Sequence, residues 1–240
     1  MKNIRGVGYA DDGFEKAQEI ASNLNLVLDQ YATSCLFVDN EKVSLKLPGF
    51  SLLYADFDWF FWQKRKNEGK KQGIVRACKP NKEVKIIDAT AGWGRDAAVL
   101  ASFGADVLML ERNPVMASLL ADALVRQSES DKQHMKLSLH HGDAYSYLNR
   151  LEQDEYPDII YIDPMHPERS KAALVKKDMQ ALQQMIGVDA DALQLIELAI
   201  TRVKKRVIVK WPQKVKALLP SSDGIAGKTV RFDFYLPKDK

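Results

Sequence analysis

The stretch Val84–Asp96, VKIIDATAGWGRD, decides the fold of this chain. An apolar run ends at Asp88, a turn containing Gly92 and Gly94 follows, and an apolar periodicity typical of a helix begins directly after it. Strand, tight loop and helix in this order form the first unit of a nucleotide-type binding site in a doubly wound sheet. The glycines let a ligand approach the backbone closely, and the helix start offers unpaired N–H groups.

Strands and helices alternate from residue 84 to the C-terminus. Parallel strands joined by right-handed helical crossovers predict an α/β fold with a Rossmann-like, doubly wound sheet, and we place this domain at residues 83–240. The predicted strands are 84–88, 106–111, 136–140, 159–163, 206–210 and 229–236. The first predicted helix follows the glycine loop and ends near residue 102. The other predicted helices span 114–126, 171–186 and 190–203.

The first part of the chain, residues 1–82, lacks this alternation and predicts a small α+β region. A helical pattern covers residues 14–28. Two short strands at 34–38 and 42–47 are joined by a polar turn, which predicts a hairpin, and 52–54 is a further candidate strand.

Composition is that of an ordinary globular protein, with 46% hydrophobic and 28% charged residues. No apolar run approaches the roughly 18 residues of a membrane span, and acids occupy the N-terminus where a signal peptide needs an apolar core. We therefore expect a cytoplasmic protein without a membrane segment. Cys35 and Cys78 form no disulfide or metal pattern, and the adjacent His140 and His141 lack metal-ligand spacing, so no metal site is predicted.

Two basic segments indicate a polyanionic partner, most commonly nucleic acid. Residues 64–85 contain nine Lys or Arg against two acids, and residues 202–216 contain seven Lys or Arg and no acid, a local charge of +7 in each case. The aromatic run Trp59–Trp62 precedes the first segment. Such a run can stack on bases, although it more often packs into a core.

Acidic residues at the ends of predicted strands indicate the kind of cofactor. Glu111 closes the second strand, where an acid accepts the hydroxyl protons of a ribose; both NAD and S-adenosylmethionine (SAM) satisfy this pattern. Asp88 favours SAM, because a carboxylate there suits a cation and would repel a pyrophosphate. Asp143, after the third strand, is placed to reach an adenine or ribose.

The fourth strand ends in Asp163-Pro164-Met165-His166-Pro167. This resembles the [Asp/Asn]-Pro-Pro-[Tyr/Phe] motif of methyltransferases that act on exocyclic amino groups of bases. The Asp163 carboxylate and the Pro164 carbonyl can accept the two amino N–H bonds, which orients the nitrogen and stabilises developing positive charge. His166 stands where this motif places the ring that stacks on the base.

Several strings together resemble the RsmJ family of small-subunit rRNA guanine N2-methyltransferases: DATAGWGRD at 88–96, LERNP at 110–114, DPMHP at 163–167, ALVKKD at 173–178, KRVIVK at 205–210 and GKTVR at 227–231. The resemblance implies a class I methyltransferase fold, SAM as cofactor, and methylation of guanine 1516 in the family's 16S rRNA numbering. The partner would be rRNA or the 30S particle, with residues 1–82 as an RNA-contacting attachment. Cofactor contacts are expected at Asp88, Gly92, Gly94, Arg95, Asp96, Glu111, Arg112, Asp143, Ala144 and Asp163.

Lysines near the carboxyl ends of the strands are predicted to hold RNA phosphate. They are Lys171, Lys176, Lys177 and Lys210. Three alternatives stay open at this point: an amino-methyltransferase acting on DNA, tRNA or a protein glutamine, an NAD-dependent oxidoreductase, and a catalytically silent RNA-binding module. The sequence leaves the oligomeric state undetermined.

Overall fold

A computed structural model describes residues 4–67, 72–165 and 191–238. The chain divides into two compact units. Of the described residues, the first unit contains 4–56, Asn113–Arg126 and Met165, and the second contains 57–67, 72–112, 127–164 and 191–238. Each unit has one sheet, of four strands in the first and seven in the second.

The elements are numbered in chain order over the described residues. The strands are β1 (Gly6–Tyr9), β2 (Val27–Leu28), β3 (Cys35–Val38), β4 (Val43–Lys46), β5 (Lys85–Asp88), β6 (Asp106–Glu111), β7 (Leu137–His141), β8 (Ile159–Ile162), β9 (Arg206–Pro212), β10 (Asp223–Ala226) and β11 (Val230–Tyr235). The helices are α1 (Phe14–Leu24), α2 (Trp59–Asn67), α3 (Gly73–Cys78), α4 (Arg95–Ser102), α5 (Pro114–Val125), α6 (Glu129–His134), α7 (Ala144–Arg150) and α8 (Ala192–Ile200).

The seven-stranded sheet has the order β7-β6-β5-β8-β9-β11-β10. Strands β5 to β9 pair in parallel, whereas β11 runs antiparallel to both β9 and β10. The order reverses between β5 and β8, and in open α/β sheets a ligand binds beyond the carboxyl ends of the strands at this reversal. Asp88 and Tyr161 face each other in the register of these two strands.

This sheet confirms the predicted doubly wound α/β fold. Each predicted strand from 84 onward forms within two residues of its predicted bounds. The central strands β5, β6, β8 and β9 are largely buried, and such parallel strands leave apolar runs in the sequence. The prediction omitted β10, whose four residues, Asp-Gly-Ile-Ala, are mostly exposed. The helix predicted at 190–203 forms as α8, and the one predicted at 171–186 lies outside the described residues.

One core cluster of the second unit lies where α7 and α8 cover the sheet. All four residues of β8 are buried, and Ile196 and Ala199 of α8 are fully buried in this cluster. The described residues 57–67 and 72–82, predicted to belong to the N-terminal region, group with this unit because α2 and α3 pack on α4. The functional division at residue 82 stays a prediction.

The first unit corrects the expectation that no α/β unit precedes residue 84. Strand β1 pairs in parallel with both β2 and β3, with α1 as the crossover. The four residues of β1, Gly-Val-Gly-Tyr, give little apolar signal in the sequence. Glycine is needed at position 6 because a Cβ there would lie 2.7 Å from the Val27 carbonyl oxygen. The predicted hairpin is confirmed as β3 and β4, and the strand predicted at 52–54 is reduced to one bridge, Leu45 to Leu53.

No helix among the described residues is both long and apolar enough to cross a membrane.

Candidate active site

The loop after β5 is closed by hydrogen bonds from its own backbone. The Thr90 amide donates to Asp88 Oδ1 at 3.1 Å, and the Ala91 amide donates to the Leu110 carbonyl at 3.2 Å. Gly92 and Gly94 have φ values of 54° and 68°, in the left-handed region that favours glycine, and Gly94 is the N-cap of α4. The sequence Ala-Gly-Trp-Gly therefore turns the chain directly from strand to helix.

Glu111 joins this loop to the end of β6. Its side chain is only 5% exposed, and Oε2 accepts a hydrogen bond from the Gly92 amide at 2.9 Å. The Glu111 carbonyl accepts the Gly142 amide at 3.0 Å, which ties the end of β7 to the same place. Asp143 follows and caps α7, with Oδ2 accepting the Ser146 amide at 2.7 Å. Glu111 thus contacts the glycine loop, and Asp143 follows the neighbouring strand at the same edge of the sheet; their ribose and adenine contacts stay a prediction.

The two motifs singled out in the sequence meet through Thr90 and Asp163. The Asp163 amide donates to Thr90 Oγ1 at 2.7 Å, so the residue after β8 is fixed against the loop after β5. Pro164 is buried, and Asp163 is partly buried. His166 lies outside the described residues, so its predicted stacking role stays a prediction.

Lys210, on the neighbouring strand β9, also contacts Asp163. Its Nζ lies 2.8 Å from Asp163 Oδ2 and 2.8 Å from Asp96 Oδ2, and the Tyr161 hydroxyl donates to that same Asp96 oxygen at 2.6 Å. We expected Lys210 to hold RNA phosphate; its ammonium group instead bridges two carboxylates. The other predicted phosphate ligands, Lys171, Lys176 and Lys177, lie outside the described residues.

The pKa values of Asp88 and Lys210 differ from those of exposed side chains. Burial, with the nearby charges of Asp96 and Asp163, raises the pKa of Asp88 to about 8, so this acid is mostly protonated near neutral pH. Burial alone would lower the pKa of Lys210, but the charges of Asp163 and Asp96 outweigh it and raise that pKa. The lysine therefore stays charged, whereas Asp88, expected to act as a carboxylate, is held neutral.

Arg112 and Arg95 occupy different settings beside the loop. Arg112 forms an ion pair with Asp191 at 2.8 Å, and both side chains are more than 40% exposed. Arg95 is partly buried as the first residue of α4, and Ala144 is buried as the first residue of α7. No cluster of His, Cys, Asp or Glu suited to a metal ion occurs among the residues that the structure describes.

Comparisons with known proteins identify the family. The family model of SAM-dependent methyltransferases matches residues 19–237. Ribosomal RNA small subunit methyltransferase J of Legionella pneumophila (strain Corby) is 63% identical over 239 residues, covering 99% of this chain and 98% of that protein. The protein of the same name from Coxiella burnetii is 49% identical over 175 residues, covering 71% of this chain and 68% of that protein.

The chain belongs to the RsmJ family, the family of these methyltransferases. A crystal structure of a SAM-dependent methyltransferase from Neisseria gonorrhoeae is similar to this RsmJ-family chain, with 30% identity and a TM-score of 0.75. The alignment covers 97% of this chain and 96% of that one. Family and topology together confirm a Rossmann-like class I methyltransferase fold.

The RsmJ-family chain offers a donor set that fits SAM. Buried Glu111 and capping Asp143 are hydrogen-bond acceptors of the kind that ribose hydroxyls and an adenine amino group require. The carboxylates of Asp96 and Asp163 outnumber the ammonium group of Lys210 that bridges them, which suits a positively charged sulfonium. The nicotinamide alternative is therefore dropped.

Sequence reasoning missed two members of this RsmJ-family site and gave a third a different role. Thr90 and Tyr161 are hydrogen-bonded to Asp163 and Asp96, and Lys210, expected at RNA phosphate, links those two acids. Thr90 stood inside the quoted motif, and Tyr161 stood two residues before Asp163. Both could have been suspected as polar residues at strand ends, but only the fold reveals which atoms they meet.

Proposed function

We propose that this protein is a SAM-dependent methyltransferase that methylates the exocyclic N2 of a guanine in small-subunit rRNA. The observation that carries the proposal is the position of Asp163, held beside the glycine loop by the 2.7 Å hydrogen bond to Thr90. An acid there faces the place where a methyl donor and a base amino group must meet, since ligands of this fold bind beyond the carboxyl ends of the strands.

The rRNA substrate is supported by the relatives. Proteins named ribosomal RNA small subunit methyltransferase J match this chain at 63% identity over almost its whole length. The guanine and its N2 atom rest on the motif resemblance, which points to position 1516 in the family's numbering. Either naked rRNA or the 30S particle would present this base, and an rRNA substrate would place the protein in the cytoplasm.

The proposed chemistry follows from the nature of the amino group. Its lone pair is conjugated into the ring, so alignment rather than prior deprotonation has to make it reactive. The Asp163 carboxylate and the Pro164 carbonyl would accept its two N–H bonds and stabilise the positive charge that develops on nitrogen. His166 would stack on the base. The cofactor, when bound, supplies an activated methyl group.

The residues proposed to hold the cofactor surround the loop. The Gly92–Gly94 turn gives close access to backbone, Glu111 would accept ribose hydroxyl protons, and Asp143 would reach the adenine or ribose edge. The full proposed set is Asp88, Gly92, Gly94, Arg95, Asp96, Glu111, Arg112, Asp143, Ala144 and Asp163.

The exposed face of α2 supports an RNA-binding role for residues within 1–82. Of the aromatic run, Trp59 and Trp62 are buried, whereas Phe60 and Phe61 are 70% and 55% exposed. Lys64, one turn further on, is also exposed. Exposed aromatic rings beside cations combine base stacking with phosphate attraction, which is how single-stranded RNA is commonly bound.

The decisive experiment is methyl transfer from labelled SAM to small-subunit rRNA that lacks this modification, offered both as naked RNA and as 30S particles. Digestion to nucleosides should give labelled N2-methylguanosine. Fully modified rRNA serves as the control and should accept no label. A different methylated nucleoside, or no transfer to either substrate, would contradict the proposal.

A further inference from the structure

One lysine connects the proposed catalytic acid to the helix that begins at the cofactor loop. Lys210 Nζ lies 2.8 Å from Asp163 Oδ2 and 2.8 Å from Asp96 Oδ2. Asp96 lies in the first turn of α4 and is held by the Tyr161 hydroxyl at 2.6 Å. Three neighbouring elements, β8, β9 and α4, are therefore joined through a single ammonium group.

Asp163 is fixed at two points. Its backbone amide is bonded to Thr90 Oγ1 at 2.7 Å, and its carboxylate is bonded to Lys210 through Oδ2. A carboxylate can accept about four hydrogen bonds, so the ion pair is compatible with a further bond from a base amino group. Two-point attachment holds such an acceptor in one orientation, which is what an alignment-based mechanism needs.

The charge state of Lys210 suits this role. The neighbouring carboxylates of Asp163 and Asp96 outweigh the effect of burial and raise the pKa of Lys210, so its ammonium group stays charged. Burial and the charges of Asp96 and Asp163 raise the pKa of Tyr161, so its hydroxyl stays protonated and can donate to Asp96. A charged ammonium donor and a protonated hydroxyl donor therefore hold the Lys210–Asp96 side of the contact in place.

We propose that Lys210 is a positioning residue for methyl transfer, which orients the Asp163 carboxylate toward the amino group to be methylated. The proposal rests on the function proposed above for Asp163. It assigns Lys210 no contact with RNA, in contrast to the role expected from its place in a basic segment.

The test is a steady-state comparison of Lys210→Met with the wild type in the full-length protein, with undermethylated small-subunit rRNA and SAM. Methionine keeps roughly the length of the side chain but removes its charge. We expect kcat to fall by about tenfold or more, because an acceptor that is no longer held in one orientation loses part of the gain from alignment. The KM for rRNA should stay within about twofold of the wild type, since the lost interaction acts in the transition state and Lys210 is assigned no contact with RNA.

Two further variants control for structural damage. Lys210→Arg keeps the charge and should recover part of the kcat that Lys210→Met loses. Lys136→Met removes an exposed lysine from outside both basic segments and should match the wild type in both kcat and KM. If Lys210→Met does not fold by circular dichroism, Lys210→Gln takes its place with the same expected loss of kcat.

The outcomes separate the two proposals. A Lys210→Met variant with unchanged kcat, or with a raised KM for rRNA and unchanged kcat, overturns the role of Lys210 while wild-type methylation still supports the function. Absence of guanine methylation by the wild type contradicts the proposed function itself. Carbon-13 NMR of the Asp side chains then still decides the point, because an Asp163 carboxyl signal that does not move in Lys210→Met refutes the orienting contact without reference to activity.

Discussion

Two clusters of charged side chains, one in each unit, have opposite compositions. In the four-stranded unit, the acid Asp122 is bonded to Lys16 at 2.6 Å and to Arg126 at 2.8 Å. In the seven-stranded unit, the ammonium group of Lys210 is bonded to both Asp163 and Asp96. One cluster surrounds an acid with cations, and the other surrounds a cation with acids.

The difference indicates what each cluster is for. The negative charge of buried Asp122 is more than balanced by its two cations. Arg126 also donates to the Ala55 carbonyl, so this cluster links separate segments of the chain. Acids in excess of cations lower stability and perturb pKa values, an arrangement that is common at functional sites. Such an excess suits a ligand that brings its own positive charge.

The largest effect is expected from Asp163→Ala. Removing the acceptor that would stabilise charge on the amino nitrogen should lower kcat by about 100- to 1000-fold, the usual consequence of deleting one such contact. Steady-state methyl transfer to undermethylated small-subunit rRNA measures it. Asp106→Ala, at an exposed acid that begins β6, is the matched control and should leave kcat unchanged. Near-normal turnover in Asp163→Ala would mean that the cluster around Lys210 has no catalytic role that distinguishes it from the cluster around Asp122.

The next effect concerns the pH dependence of stability at Asp88. Its folded-state pKa of about 8 lies above the ordinary value of 3.8, so the folded protein keeps a proton that the unfolded chain releases. The contribution of Asp88 to the free energy of unfolding is therefore fully present below about pH 4 and is lost as the pH rises to about 8. Asp88→Asn cannot release a proton there.

We therefore expect Asp88→Asn to gain stability relative to the wild type between pH 5 and pH 8, by on the order of 3 kcal/mol. Urea unfolding at several pH values across this range measures the difference. Curves for the two proteins that stay parallel with pH would mean that Asp88 is ionised in the folded state.

Asp122→Ala should have a smaller effect, on stability rather than chemistry. Its loss leaves Lys16 and Arg126 without their shared acid, but their side chains are 44% and 23% exposed, so water compensates in part. We expect a loss of about 1–3 kcal/mol in the free energy of unfolding. In methyl transfer assays below the unfolding temperature, kcat should stay within about twofold of the wild type. A selective loss of kcat in a stable protein would instead give this cluster a catalytic role.

Lys132→Ala should have the smallest effect. Lys132 pairs with Glu129 at 2.8 Å on α6, and both side chains are largely exposed. Exposed pairs one helical turn apart contribute about 0.5 kcal/mol or less. The urea midpoint should hardly move. A large shift would show that exposure does not separate weak pairs from strong ones in this protein.

The sequence predicted the parts of the site that stand at the ends of strands. Asp88, Glu111, Asp143 and Asp163 were each placed at a strand end, and the structure has them there. Three of these strands, β5, β6 and β8, are largely buried, and buried parallel strands are recognisable as apolar runs in the sequence. The RsmJ resemblance, carried by several strings in the same order, is confirmed by the comparisons.

What the sequence did not predict depends on pairing between distant residues. Lys210 lies 114 residues from Asp96, and nothing in a basic segment distinguishes a lysine that meets phosphate from one that meets carboxylates. The neutral state of Asp88 arises from burial, which a motif does not encode. Strand β1 was missed because Gly-Val-Gly-Tyr has two glycines in four residues, and its pairing depends on their lack of a side chain.

Helix α5 has a consequence for how the chain is made. It connects β6 to β7 of the seven-stranded sheet, yet it packs with α1 and β4 and supplies Asp122 to the four-stranded unit. A ribosome that adds about 5–20 residues per second releases residues 4–56 well before Asn113–Arg126. The strands made first must therefore wait for a helix made several seconds later, and a fragment ending at Asp56 would lack the acid that Lys16 binds.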